Sequence, residues 1–511
     1  MTIFAQPSTS HAPASPAPAL AVSLDGPAFW LMIAALAGLS LPLRQAGLTP
    51  DVSWLLDMCR RMLAGETAYV DIFETTPPIP TLLYMPGAMI AGATGIGAGA
   101  AVYATCYVAV LLALYVSDRI LPRMLDGAGS SRLVIMTPAA FILFFLCNDA
   151  FAQREYLAAA FALPAACVFI RHSETGDWPP LGAVAAAALL AGLAAAIKPP
   201  LFMAPGLALA LYYFWKERNI VFLWRSGLIA AGVVFVALTA LSLLAFPAYL
   251  DGVTHLMSDI YVPLRSSPLI GLTSKEFIAV AACIAIALAF NAMRKPSPAI
   301  AIFCVMAVSF TAIYFIQGKY FPYHLYPASF FGGLALVGAV ASALRPRPDE
   351  TASSRRAFSV ALALMLPAMA WPTYAAYDDN RPRMHDLGWA ENLHQPTALA
   401  ISTNISISFP LAQDIGAVWK DRIHSQWIVL YAREGLKKKH FSAEQKAIFQ
   451  SYYDAEIDRI LNRIIAQKPD IIIRSLPDKD LYNELLKRDP QLLDAYKPVA
   501  REGVIEILKR R

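Results

Sequence analysis

The sequence predicts a polytopic α-helical membrane protein with about 11 transmembrane helices and a C-terminal soluble α/β domain. Three observations carry this. First, 57% of the 511 residues are hydrophobic and only 15% are charged, with a mean hydropathy of +0.49, against about 25% charged in an average soluble chain. Second, apolar runs of roughly 17–22 residues recur along most of the chain, each long enough to cross the ~30 Å hydrocarbon core. Third, the character changes after residue 376, where charged residues return and short strand-like runs alternate with helical ones.

Taken in order, residues 1–26 are rich in Pro, Ala and Ser and lack a basic start, so they read as a disordered cytoplasmic tail, not a cleaved signal. A membrane domain over 27–376 follows, with a polar periplasmic loop at 48–98. Its spans fall near 28–46, 99–117, 132–148, 155–171, 181–197, 200–215, 226–246, 273–292, 297–316, 325–344 and 357–376. Segment 79–95 is apolar, but it is short and broken by Pro and Gly, so it reads as interfacial or re-entrant. Counted this way, the loops 118–131, 172–180, 216–225, 293–296 and 345–356 share one side and hold Arg119, Arg123, Lys216, Arg218, Arg225, Arg294, Lys295, Arg345, Arg347, Arg355 and Arg356. That is the positive-inside pattern, and counting 79–95 as a span would reverse most of it.

The same count places the other ionisable span ends on the outer side. These are Asp149, Arg154 and Glu155 in NDAFAQREY, Lys198 in AIKPP, Lys319 and His324 in QGKYFPYH, and the insert Asp51–Pro80 with Asp51, Asp57, Glu66, Asp71 and Glu74. Ionisable groups at the rim of an apolar bundle are costly and mark functional sites. The loop 247–272, with Asp251, His255, Asp259 and Arg265, lies on that side too and could act as a lid. Structural readings stand beside these: Asp51 directly before a helix is also a good N-cap, and a lone His among aromatics is as often structural.

The C-terminal segment 377–511 reads as a small periplasmic α/β domain, with strand-like ALAIST, IVLY, DIIIRS and VIEIL and a helical EQKAIFQSYYDAEIDRILNRIIAQ. It has no Gly-rich nucleotide loop and no metal spacing. Its KKKH run at 437–440 reads as a solvated face or as a contact for anionic lipid. The six cysteines form no CxxC pair and read as small hydrophobes in helix packing. No internal repeat is visible, which counts against a secondary transporter.

The insert resembles the first periplasmic loop of the GT-C superfamily of membrane glycosyltransferases, in particular the lipid-A aminoarabinose transferase and protein mannosyltransferase-like branch. Those proteins carry an acidic residue after the first span, then ML and Gly, then a Glu-Lys-Pro-Pro turn. Here these are Asp51, Met62-Leu63-Ala64-Gly65 and Glu74-Thr75-Thr76-Pro77-Pro78, so the usual Lys is missing. Asp149 matches an acidic residue at the outer end of the third span, Lys198 a Thr-Lys-Gly position, and QGKYFPYHLYPA a KGKLPTYILP segment through Lys319 and Tyr323. The likeness covers about 28–345.

What the resemblance implies is an integral-membrane transferase of the bacterial inner membrane, of inverting type. It would move a sugar from a polyprenyl-phosphate donor to a lipid, polysaccharide or protein acceptor at the outer face. Asp51 is the acceptor-side carboxylate, and Glu74 and Asp149 position sugar or hold a divalent cation, too few ligands to assert a metal. Arg154, Lys198 and Lys319 answer the donor phosphate. Glu155, Tyr323 and His324 complete the substrate-binding set. Membrane lipids are the other partners and no nucleic acid is expected. A flippase of lipid-linked sugars, which would carry its charges at mid-span, and a non-catalytic assembly protein are the alternatives.

Overall fold

In the computed structural model the described residues are 26–44, 47–125, 129–293, 296–344 and 382–511. The tail 1–25 and the expected span 357–376 lie outside them. Among the described residues seven helices are long and apolar enough to cross a membrane: Pro27–Arg44, Ala98–Ile120, Arg154–Thr175, Leu228–Ala245, Lys275–Met293, Pro298–Gln317 and Pro322–Ala343. Arg132–Phe145 and Leu181–Ile197 are shorter apolar helices, and Ala204–Glu217 fills the expected 200–215 position. The chain is a multi-pass membrane protein.

Burial sorts these helices. In Arg154–Thr175, 78% of the apolar stretch is buried, whereas in Leu228–Ala245 only 6% is, although its mean hydropathy is 2.6. An exposed helix apolar on every side is solvated by lipid tails, not water. The central helix begins with Arg154 and Glu155, so the least lipid-exposed helix carries its charges at one end.

Helix contacts are close where side chains are small. A Cβ on Gly192 would stand 2.6 Å from Val234 and 2.7 Å from the Ala231 carbonyl, so only hydrogen allows Leu181–Ile197 to meet Leu228–Ala245. Segment 79–95 is broken into two short helices, Pro78–Leu82 and Met85–Thr94. All six cysteines are free, five of them buried.

The insert folds as the amphipathic helix Pro50–Leu63 and a compact loop. Thr49 takes the N-cap position and Pro50 the first turn, so Asp51 sits inside the helix and is not its cap. The loop 247–272 is not loose: it forms helix Ala248–Leu256, a turn Met257–Tyr261 and helix Pro268–Leu272. The Asp259 carboxylate accepts a hydrogen bond from Tyr452 of the C-terminal domain at 3.1 Å, tying this segment down.

The C-terminal domain is a five-stranded mixed sheet. Its strands are β1 (Thr397–Ile401), β2 (Val418–Trp419), β3 (Ile471–Ser475), β4 (Tyr496–Glu502) and β5 (Ile505–Arg510), in the order β2-β1-β3-β5-β4. The run IVLY, read as a strand, is helical within Trp427–Lys437, because burial of Ile428, Val429, Ala432 and Gly435 follows a helical period. The domain docks on the insert by directed bonds. Ser53 and Gln413 exchange two hydrogen bonds of 2.6 Å, Arg61 donates to the Asp421 carbonyl at 2.9 Å, and the Phe73 N–H donates to the Arg422 carbonyl at 2.6 Å.

A Gly192→Ala protein should lose about 1–3 kcal/mol, the usual cost of overpacking, seen as a lower Tm in detergent. Gly182→Ala, with nothing within 4 Å of the new methyl, should leave Tm unchanged.

Candidate active site

Where the C-terminal domain meets one end of the helix bundle, the chain encloses a cavity of about 740 Å³. Asp51, Trp54, Glu74, Arg154, Lys198, Arg265, Tyr323, His324, His424 and Tyr431 are among the residues that line it. Residues more than 350 positions apart in sequence thus share one wall.

At the bundle end sits a buried ion-pair network. Glu155 has no exposed surface; Lys198 donates to its Oε1, and His324 Nε2 lies 3.7 Å from the same oxygen. Lys198 also donates to Gln317 Oε1 at 2.8 Å. Four helix ends are therefore gathered on one carboxylate. A buried charge without a partner is strongly destabilising, so Glu155 and Lys198 hold each other in place. Glu155 lies behind the cavity surface and Lys198 is largely committed to it.

The neighbouring Arg154 lines the cavity and donates from Nη1 to Thr76 Oγ1. A guanidinium from the central helix thereby stands beside the Glu74–Pro78 turn, where the expected Lys is missing.

Glu74 is held from several sides. Its Oε2 accepts from the Trp54 indole at 2.6 Å, and its Oε1 from the Thr76 N–H at 2.7 Å and the Thr75 hydroxyl at 3.2 Å. Burial alone would push its pKa up, but His424, Arg154 and the Thr76 N–H outweigh this and hold it below the usual carboxylate range. Burial lowers the His424 pKa, while the Glu74 carboxylate pulls it the other way. Asp51 is less constrained: its Oδ2 accepts one long bond, from Gln153 Nε2 at 3.4 Å.

A second group of cations lies at Arg265 and Lys319. Gly318 and Tyr320 both take positive φ, +65° and +57°, and the turn they make folds Lys319 inward. Its ammonium lies 4.0 Å from the Tyr261 ring and 4.2 Å from the Tyr431 ring, and donates to the Tyr261 and Leu264 carbonyls at 3.2 Å. Burial, then Arg265 and Lys438, push its pKa down to about 8. All of its charge neighbours are positive. Arg265 lines the cavity as an exposed side chain.

Of the residues expected from sequence, Asp51, Glu74, Arg154, Lys198, Tyr323 and His324 line the cavity, while Glu155 and Lys319 stand directly behind it. Asp149 is exposed on the short turn Asn148–Ala150, outside the lining, so it is not brought together with Glu74 as a cation-holding pair would require. Among the described residues no three His, Cys, Asp or Glu side chains group as a metal site. Sequence reasoning missed His424, Thr403 and Asn404 and placed Arg265 only in a lid loop. Arg265 alone had a signal, an outward-side cation.

No protein-family model and no curated protein matches the chain. Solved structures do. ArnT from Cupriavidus metallidurans bound to undecaprenyl phosphate superposes with a TM-score of 0.54 at 16% identity, covering 94% of this chain and 97% of that one. The same protein in the apo state gives 0.55 at 16% identity, covering 94% and 96%. The chain has the GT-C fold of ArnT. The likeness reaches past 28–345 into the C-terminal domain.

Glu155→Gln should leave the half-buried Lys198 without its counter-charge and cost about 2–4 kcal/mol, read as a fall in Tm. Glu155→Gln combined with Lys198→Met should recover most of that loss. A double variant no more stable than Glu155→Gln would contradict the pairing.

Proposed function

We propose that the chain is an inner-membrane glycosyltransferase that moves a sugar from a polyprenyl-phosphate donor to a cell-envelope acceptor at the periplasmic face. The observation that carries this reading is one cavity lined by the carboxylates Asp51 and Glu74 and by the cation Arg265, with Lys319 directly behind Tyr261 and Tyr431. Its likeness in fold to ArnT, solved with undecaprenyl phosphate, supports the lipid-phosphate part. The positive-inside count supports the orientation, with the cavity and C-terminal domain outside.

This arrangement suits a single displacement. Glu74 has its oxygens occupied by Trp54, Thr75 and Thr76, so it orients the site. Asp51 is freer and is the base: it takes the proton from the acceptor hydroxyl or amine as that atom attacks the anomeric carbon. The bond from that carbon to the phosphate oxygen breaks, its electron pair stays on the phosphate, and Arg265 and Lys319 stabilise the charge. A single displacement of this kind inverts the anomeric carbon. Arg154 donates to Thr76 and Lys198 to Glu155, so each is tied into the framework of the site while it lines the cavity. Tyr323 and His324 line the floor.

The test is transfer of radiolabelled sugar from polyprenyl-phosphate donors in membranes. Asp51→Asn and Lys319→Ala should each lower transfer by about 100-fold or more, in the range typical of general-base and charge-stabilising groups. Because Lys319 loses its proton as pH rises through about 8, donor binding should weaken across that range, while Lys319→Arg, which stays charged, should flatten the limb. Full transfer by both Asp51→Asn and Lys319→Ala would sink the assignment.

A further inference from the structure

One edge of the cavity belongs to the C-terminal domain, and no step above uses it. Strands β1, β2 and β3 run parallel, so their carboxyl ends lie on one edge of the sheet. From β1 the chain leaves towards one side of the sheet and from β3 towards the other. In open α/β sheets such a reversal at the carboxyl ends is where ligands bind. Here the loop after β1 brings Thr403, Asn404 and Ser406 to the cavity, and the loop after β2 brings His424 and Ser425.

These groups are fixed in place. Asp478, after β3, accepts from the Thr403 N–H at 2.9 Å and from its hydroxyl at 2.7 Å. Asn404 Oδ1 accepts from the Ser406 N–H at 2.9 Å. The second loop is pinned by Gln426, which donates to Asp421 Oδ2 at 2.8 Å and accepts from Arg459 at 2.7 Å, while Arg459 also pairs with Asp421.

The five groups are hydroxyls, an amide and an imidazole, none of them a Lys, Arg, Asp or Glu, and Trp54 and Trp427 line the cavity beside them. Polar groups of that kind in an aromatic-walled pocket recognise an uncharged, hydroxyl-rich ligand, whereas a phosphate is drawn to Arg265 and Lys319. Their position is equally specific. Helix Ile405–Ser408 packs on Pro50–Leu63, which carries Asp51, and the His424 ring lies 5.6 Å from that of Trp54, the residue bonded to Glu74. This edge stands on the base side of the cavity.

We propose that the carboxyl edge of the C-terminal sheet is the acceptor subsite, and that it holds a saccharide through Thr403, Asn404 and Ser406 beside Asp51. Its role as acceptor rests on the transfer reading; saccharide binding does not. The test is tryptophan fluorescence of the full chain in nanodiscs, titrated with the methyl glycosides of glucose, galactose, mannose and N-acetylglucosamine. At least one should bind saturably. Thr403→Val and Asn404→Ala should weaken it tenfold or more while each variant stays folded by circular dichroism, and Lys497→Ala, an exposed residue outside the cavity, should leave it unchanged. Binding should persist with undecaprenyl-phosphoryl glucose at saturation. No saturable binding by any glycoside, unaltered affinity in both edge variants, or displacement by that lipid, which would put the donor's own sugar here, would each overturn the proposal. Glycoside binding in a protein that transfers no sugar would refute the enzyme reading alone.

Discussion

A single carboxylate with no exposed surface gathers the working end of the bundle. Glu155 begins the most buried apolar helix, and it draws in Lys198, with Gln317 behind it, and His324 from three other helix ends. Several kcal/mol is lost when each such ion leaves water, and the mutual attraction offsets this only if the geometry is held. The consequence is directional: the ends of these helices are fixed relative to one another, and Arg154, one residue earlier, faces the cavity. What looks in sequence like a row of separate charges at span ends is one framework with a site laid upon it.

The second constraint comes from outside the bundle. Ser53, Arg61 and Phe73 of the insert bond to Gln413, Asp421 and Arg422, so the cavity's two halves are built by segments far apart in the chain. The Arg459–Asp421–Gln426 network stiffens the C-terminal contribution. Buried polar networks of this kind are costly when partly satisfied, so they favour one docking geometry over its neighbours. The carboxylates on the insert and the cations by Tyr261 and Tyr431 are thereby kept at one cavity.

Much of this was legible beforehand. Apolar run length and Lys/Arg placement gave the membrane class and the common side of Asp51, Glu74, Arg154 and Lys198, because both follow from solvation in a bilayer. Three things were not. Pairing within the charges was hidden: sequence cannot say that Glu155 and Lys198 neutralise each other while Lys319 faces only like charge. Asp149 has the same local signature as Arg154, yet its turn leaves it exposed. Finally, Thr403, Asn404 and His424 are ordinary loop residues until the parallel strands bring their carboxyl ends to the cavity. The IVLY run shows the limit in miniature, since four apolar residues fit either period until neighbours decide.

The measurement that bears most directly on the roles within the cavity is a structure of the full chain with undecaprenyl phosphate bound. Phosphate density between Arg265 and Lys319, with Asp51 in the same cavity and open to an acceptor, is the predicted result. Phosphate seated instead on Arg154 and Lys198, with the Glu155 pair broken to receive it, would contradict the roles given to Arg265 and Lys319.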